Sequence, residues 1–242
     1  MEAMSTRSFS LHADGAEIVD WMSAGPDGYV SASCSLAVRR STRAAGDATV
    51  TELSVTNTGA NPSPLLSRIV FFRDERTVSS TSVPVIHHSG GGLTDAVFPS
   101  TAWRIQRTEL VDWSALKLEG AKGRSANRDL PIFLVTDEEE TRGVAYVAGY
   151  SGNVVSTILR DQDYTSLSVS MGIRDLSLRI PPGDAVTLGS ALALPYEGGR
   201  RRGVQRVAPR VARAHLSRGI AQGGLRSLVR HRAAFQRGAA AP

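Results

Sequence analysis

Cysteine and lysine are almost absent from this chain of 242 residues. Cys34 is the single cysteine, which excludes a disulfide framework and a cysteine-based metal site. Two lysines stand against 26 arginines throughout the chain, a bias that indicates GC-rich coding rather than selection for guanidinium chemistry. Apolar runs such as Ile69–Phe72 are far shorter than the roughly 20 residues that span a bilayer. Residues 1–11 lack the pattern of a signal peptide, so the sequence predicts a cytoplasmic protein without membrane contact.

Charge is distributed unevenly between two regions of the chain. Residues 1–197 contain all 23 acidic side chains together with 17 basic ones. Residues 198–242 contain eleven arginines, no lysine and no acid. Such an asymmetry usually marks a separate tail. The sequence therefore predicts a domain over residues 1–197 and an Arg-rich tail over residues 198–242.

Alternation of apolar and polar residues is the clearest periodic signal in the first region. Strands with one buried face are predicted at Val30–Val38, Tyr164–Met171 and Leu176–Ile180. Strands buried on both faces are predicted at Leu65–Phe72, Pro131–Val135 and Gly143–Tyr150. Turn-forming residues separate them at Asn57–Gly59, Ser89–Gly92 and Pro181–Asp184. With no convincing helix before about residue 200, these patterns predict an all-β sandwich. Cys34 lies on the apolar face of a predicted strand, so we expect it to be a buried, inert thiol.

Two short motifs carry chemistry but favour ordinary structural roles. His87 and His88 precede a Gly-rich stretch, yet a metal site needs a third ligand and a phosphate loop needs a following lysine. A polar loop is the favoured interpretation, and no metal or cofactor is predicted. The four acids Asp137–Glu140 repel one another, which favours a hairpin tip. Paired glycosidase acids face each other across a sugar at roughly 5–10 Å, unlike neighbours on a loop.

Two tryptophans are candidates for sugar binding. Trp103 and Trp113 flank a strand-like stretch that also contains Asp112. An aromatic ring beside an acid can stack on a sugar and hydrogen-bond to it, although Trp in a large sandwich usually packs in the core. His87 and His88 complete the candidate carbohydrate contacts. The residues by themselves indicate no active site in the first region.

A series of motifs in the second half of this region resembles a known family. In order, they are Gly123–Ser125, Leu130–Leu134, Gly143–Gly152, Leu178–Gly183 and Leu192–Gly198. Their order and spacing resemble the N-terminal β-domain of bacterial and plant-type α-galactosidases, the melibiase-like family 36 of glycoside hydrolases. Val55–Gly59 similarly looks like an Arg-Asn-Thr-Gly hairpin of that domain. The resemblance covers roughly residues 15–215. Tyr150-Ser-Gly-Asn-Val154 stands where the family usually has Trp-Ser-Gly-x-Trp.

The resemblance implies a β-supersandwich of two large antiparallel sheets. In that family a following (β/α)8 barrel supplies two Asp residues for retaining hydrolysis of α-galactosides, so the resemblance implies no catalytic residue in this chain. It implies a domain that braces the barrel and helps to form subunit contacts. Tyr150, Ser151 and Gly152 are then candidates for the barrel interface. The implied partners are a galactoside, a second copy of the chain or a separate barrel domain.

The Arg-rich tail has three interpretations. In the family's pattern, residues from Arg200 to about His215 would form a basic helix that leads into the barrel. Eleven arginines could instead contact nucleic acid or an anionic surface. Arg, Ala and Gly also result when GC-rich DNA is translated out of frame or past a truncation. The sequence favours this last origin, with a partly helical or disordered tail, and makes nucleic acid an unlikely partner. The leading prediction is a non-catalytic domain separated from its barrel, and the alternatives are a stand-alone carbohydrate-binding module and a β-domain with a nucleic-acid-binding tail.

Overall fold

A computed structural model describes residues 8–89, 104–111, 113–120, 129–149, 153–161 and 165–199 of the chain. All the regular elements in these ranges are β-strands. The strands form two large antiparallel sheets, which confirms the predicted all-β fold. Among the described residues there is no helix that could cross a membrane. The tail from residue 200 onward lies outside these ranges, so its predicted helical or disordered character stays a prediction.

Fifteen strands occur in the described ranges. In chain order they are β1 (Ser10–Ala13), β2 (Ala16–Glu17), β3 (Trp21–Ser23), β4 (Gly28–Ser31), β5 (Leu36–Ala45), β6 (Ala48–Asn57), β7 (Leu66–Thr77), β8 (Val83–Ser89), β9 (Arg104–Leu110), β10 (Ala115–Glu119), β11 (Asp129–Thr136), β12 (Arg142–Ala148), β13 (Val154–Arg160), β14 (Ser166–Ile173) and β15 (Ala185–Glu197). The six-stranded sheet has the order β10-β13-β14-β7-β1-β2. The nine-stranded sheet has the order β3-β4-β5-β6-β15-β12-β11-β8-β9.

The main hydrophobic core lies between the two sheets. On β14, Leu167, Val169 and Met171 are fully buried, whereas the serines between them are half-buried, as the alternation predicted. Strand β12 is buried on both of its faces, as predicted for Gly143–Tyr150. Its residue Tyr146 points into the main core, and Ala145 and Val147 belong to a separate cluster on the outer face of the nine-stranded sheet. The same prediction fails in part for β7, where Arg68 is exposed.

The prediction of one strand over Val30–Val38 is wrong. The chain turns at residues 32–35 and separates β4 from β5, which pair as an antiparallel hairpin. The Asp20 carboxylate organises this turn, since it accepts hydrogen bonds from Ser31 Oγ at 2.6 Å and from the Ser33 amide at 3.0 Å. These bonds lower the pKa of Asp20 to about 2. Cys34 therefore lies in a turn, half-buried against the main core, rather than on a strand.

The Asn57 side chain joins two parts of the sandwich that are distant in sequence. Its Nδ2 donates to the Asn61 carbonyl at 2.7 Å and to the Ile180 carbonyl at 2.8 Å, and its Oδ1 accepts from the Gly59 amide at 2.9 Å. The predicted turn at Asn57–Gly59 is thus present. It is not a hairpin, however, because the chain leaves β6 in one sheet and enters β7 in the other. The predicted strand at Leu176–Ile180 is reduced to an isolated bridge between Leu178 and Leu66.

Candidate functional site

A cluster of three polar side chains lies between the sheets. Asp74 and Arg76 extend from β7, and Tyr146 extends towards them from β12 in the opposite sheet. Arg76 Nε donates to Asp74 Oδ2 at 2.8 Å and to Tyr146 Oη at 2.6 Å. The Tyr146 hydroxyl donates to the same Asp74 oxygen at 2.6 Å. The three groups therefore form a closed set of charge-assisted hydrogen bonds that joins the two sheets.

Burial and neighbouring charges shift the pKa of two groups in this cluster, Tyr146 and Arg76. Burial, with the neighbouring charge of Asp74, raises the pKa of the Tyr146 hydroxyl. Burial lowers the pKa of Arg76, but the attraction of Tyr146 and Asp74 outweighs it and the net pKa is raised. The Tyr146 ring also stacks on Phe133 with 5.3 Å between ring centroids. The tyrosine is consequently a neutral donor that is held in place by packing.

The cluster does not have the composition of a glycosidase active site. It holds one carboxylate, Asp74, whereas retaining glycosidases place two carboxyl groups about 5–5.5 Å apart. The three side chains hydrogen-bond to one another, which favours a structural role. The sequence patterns did not predict this cluster. The available signal was that Asp74 and Arg76 continue the alternation of β7 beyond its buried residue Phe72.

The acidic run Asp137–Glu140 forms the tip of the β11–β12 hairpin, as predicted. Asp137 accepts hydrogen bonds from the amides of Thr141 at 2.7 Å and Arg142 at 3.2 Å. Desolvation raises the pKa of Asp137, but a hydrogen bond from the Thr141 hydroxyl, together with these amide bonds, lowers it overall. Glu138 and Glu139 are exposed to solvent. The run thus closes the turn of this hairpin.

His87 and His88 lie in strand β8, so the prediction of a loop at these residues is wrong. Neighbouring residues of a strand point to opposite faces of the sheet. His87 is only 4% exposed; its Nε2 lies 3.0 Å from Thr108 Oγ1, and burial lowers the pKa of its ring. His88 is half-buried on the other face. The two rings cannot form one binding site, and no group of three His, Cys or acidic residues suited to a metal occurs among the described residues.

Trp113 lies on the surface, in the turn between β9 and β10. Its side chain is 65% exposed, next to Val111, which is 49% exposed. Its backbone has a φ of 47°, an uncommon left-handed conformation for a bulky residue. The expectation that this tryptophan packs in the core is therefore wrong. Trp103, Tyr150, Ser151 and Gly152 lie outside the described residues, and their predicted contacts stay predictions.

Comparison with known proteins identifies the fold. No protein-family model matches the chain, and no curated protein matches its sequence. Among solved structures, the α-galactosidase of Lactobacillus brevis superposes with a TM-score of 0.62 and 13% identity over 86% of this chain. A family 36 α-galactosidase of Geobacillus stearothermophilus superposes with a TM-score of 0.62 and 17% identity over 84% of this chain. The galactosidase domain of an α-galactosidase–sucrose kinase superposes with a TM-score of 0.55 and 13% identity over 80% of this chain.

The match is confined to part of each of these enzymes. This chain spans 31% of the Lactobacillus enzyme, 32% of the Geobacillus enzyme and 28% of the galactosidase domain. At such identities the common feature is the fold. The chain thus has the fold of about a third of a family 36 α-galactosidase, in agreement with the resemblance found in the sequence. Variants of the Geobacillus enzyme have been solved with stachyose and with raffinose.

Proposed function

We propose that residues 1–197 are the non-catalytic N-terminal β-domain of an α-galactosidase-like glycoside hydrolase. The observation that carries the proposal is the match of more than four fifths of this chain to about a third of each of these enzymes. A (β/α)8 barrel typically needs about 250 residues, far more than residues 200–242 contain. The catalytic acids therefore come from a polypeptide segment outside these 242 residues.

In this role the domain supports a barrel and does not touch the reacting bond. The cluster of Asp74, Arg76 and Tyr146 supports the proposal, because its hydrogen bonds join the two sheets and it contains a single carboxylate rather than a catalytic pair. We propose that Tyr150, Ser151 and Gly152 contact the barrel, by analogy with the family motif. Subunit contacts through this domain are part of the same proposal.

An activity assay with co-expression tests this function. The purified chain should hydrolyse an aryl α-galactoside no faster than a buffer blank. The DNA that flanks the gene should encode a barrel-like sequence in one of its frames. Co-expression of that sequence should give galactoside turnover, with an equal preparation of the barrel alone as the control. Turnover by the chain alone, or flanking DNA with no barrel-like sequence, would contradict the proposal.

The exposed Trp113 favours a second candidate function, a stand-alone carbohydrate-binding module. Exposure of a large aromatic ring next to Val111 is typical of a surface that stacks on sugars. In this case raffinose should quench tryptophan fluorescence in a saturable manner. Trp113→Ala should abolish the quenching, whereas Trp21→Phe, at a buried position, should retain it. A flat titration of the unmodified chain would exclude raffinose binding near these tryptophans.

A further inference from the structure

Strand β9 is one edge of the nine-stranded sheet, and only one of its two sides is paired. It forms an antiparallel ladder with β8, and no other described strand pairs with it. An edge strand presents a row of backbone N–H and C=O groups that can pair with another strand, and proteins often protect such edges with very short strands, lysine or proline. The other edge strands follow this rule, since β2 and β3 have two and three residues and β10 contains a lysine. Strand β9 has seven residues and neither lysine nor proline.

The outer face of β9 carries two charges between two exposed apolar side chains. Arg107 pairs with Ile86 of the outer cluster, so alternation places Ile105 and Glu109 on the same face as Arg107. Val111 follows the strand directly at the same spacing. Ile105 is 57% exposed and Val111 is 49% exposed. The row therefore reads apolar, positive, negative and apolar along the unpaired edge.

This row is complementary to itself. When two identical strands pair in antiparallel fashion about a twofold axis, each residue lies opposite a fixed residue of the second copy, and the relation is reciprocal. With the axis at Thr108, Arg107 lies opposite Glu109 of the second copy in both directions. Ile105 then lies opposite Val111 of the second copy. We propose that two copies of this chain pair along β9 in this register, which joins their nine-stranded sheets into one continuous sheet.

Neighbouring registers lack this complementarity. An axis at Arg107 places this arginine opposite its own copy, and an axis at Glu109 does the same for the glutamate. An axis at Gln106 places Arg107 opposite the apolar Ile105. Opposite charges that face each other across a ladder are stabilising, whereas like charges in that position are destabilising. Of these four registers, the one centred on Thr108 alone matches both the charges and the apolar side chains.

The charged side chains of this edge are accessible in the single chain. Those of Arg107 and Glu109 are 41% and 37% exposed, and they form an ion pair with each other. Arg107 Nε also lies 3.0 Å from a carboxylate oxygen of Glu140. In the dimer, the two ion pairs would lie side by side, and each charge would gain a second opposite charge. Such an edge contact is smaller than a standard interface, so we expect a dissociation constant in the micromolar range.

This inference goes beyond the proposed function, which includes subunit contacts without locating them. It depends on β9 and does not require a barrel or a galactoside. The experiments below therefore use this chain alone. Failure of the dimer would leave the activity assay unaffected, and failure of the activity assay would leave the dimer unaffected.

Charge reversal tests the proposal in the full chain by sedimentation velocity at several protein concentrations. The unmodified chain should show a monomer–dimer equilibrium. Arg107→Glu and Glu109→Arg each place like charges opposite each other across the axis, so each should weaken the dimer by about tenfold or more. Mixed in equal amounts, the two variants should form a heterodimer, because every charge then lies opposite its counterpart. Arg39→Glu, an exposed charge reversal on β5, should leave the equilibrium unchanged.

Three results would overturn the proposal. The first is an unmodified chain that stays monomeric at every concentration. The second is association that persists unchanged in both single variants. The third is a mixture of the two variants that stays monomeric although both unfold cooperatively on heating, as a folded chain does. If either variant does not fold, cross-linking with the native charges in place decides.

Disulfide cross-linking tests the register in a Cys34→Ala background. One chain carries Ile105→Cys, and a second chain with a different affinity tag carries Val111→Cys. Opposite residues of an antiparallel ladder have Cα atoms about 4.5–5.5 Å apart, a distance that a disulfide bridges. Two copies of the same position would instead lie about 20 Å apart along the ladder. Mild oxidation of the mixture should therefore give mainly the disulfide between differently tagged chains.

The control for cross-linking replaces Val111→Cys by Ala44→Cys, an exposed position on β5, and should give no disulfide above background. Equal yields of disulfides between like and unlike tags would overturn the register. A yield for Val111→Cys no higher than that for Ala44→Cys would overturn the pairing along β9.

Discussion

Replacement of Arg160 by alanine should lower the free energy of unfolding by about 3–5 kcal/mol. Arg160 is 0% exposed at the end of β13 in the six-stranded sheet. Its guanidinium donates to the Leu110 carbonyl at 3.0 Å and to the Ser80 carbonyl. Leu110 ends β9 in the other sheet, so this one side chain ties the two layers together. Alanine would leave two acceptors without these donors and a cavity where the side chain packed.

Urea denaturation of matched variants measures this effect. Arg142→Ala is the control, because its side chain is 77% exposed and its ion pair with Asp137 is 3.6 Å long; the loss should stay within about 0.5 kcal/mol. Arg160→Met keeps most of the volume and should lose less than Arg160→Ala, since no cavity forms. A loss for Arg160→Ala as small as that for Arg142→Ala would show that the guanidinium contributes little to the contact between the sheets.

Replacement of Gly172 by alanine should destabilise the six-stranded sheet by about 3 kcal/mol. Gly172 lies in β14 opposite Val70 of β7, beside a register shift between the two strands. A Cβ at this position would lie 2.2 Å from the Ile69 carbonyl oxygen, well inside van der Waals contact. The obstacle is backbone, which cannot rotate away as a side chain does. The two central strands of the sheet would have to separate.

Thermal unfolding compares Gly172→Ala with Ser170→Ala on the same strand. Ser170 is half-buried, so its substitution should leave the melting temperature nearly unchanged. Gly172→Ala should lower the melting temperature by several degrees at least, in line with the loss of free energy. Equal melting temperatures for the two variants would mean that β7 and β14 accommodate the methyl group by a local shift of the bulge.

The accuracy of the sequence-based predictions varied with the range of the interactions involved. The strand predicted over Tyr164–Met171 is confirmed from Ser166 onward, where its alternation is uninterrupted and both neighbouring strands pair along it, and it continues to Ile173. Val30–Val38 has the same alternation but contains a turn, which depends on Asp20, more than ten residues earlier in the chain. His87 and His88 were assigned to a loop because of the glycines that follow, whereas pairing with β11 and β9 keeps them in a strand.

In the candidate site, too, features set by neighbouring residues were predicted and features set by distant residues were not. The hairpin position of Asp137–Glu140 followed from the repulsion of adjacent acids, a local property. The cluster of Asp74, Arg76 and Tyr146 joins residues about 70 positions apart and left only a weak trace in the sequence. Trp113 illustrates the opposite error. Its apolar character suggested the core, but a left-handed turn places it in solvent.

The sequence by itself determined the all-β class, the alternation of the strands, the break in charge at Gly198 and the resemblance to family 36 enzymes. These properties depend on neighbouring residues and on the order of motifs along the chain. Only the tertiary structure decided which buried residues face the main core and which form the second cluster on the outer face. It also gave Arg160 its partners, which lie 50 and 80 residues away. The pairing of strands decides which face of the sandwich each side chain occupies. Paired residues can be far apart in the chain, so the local periodicity of the sequence does not reveal their pairing.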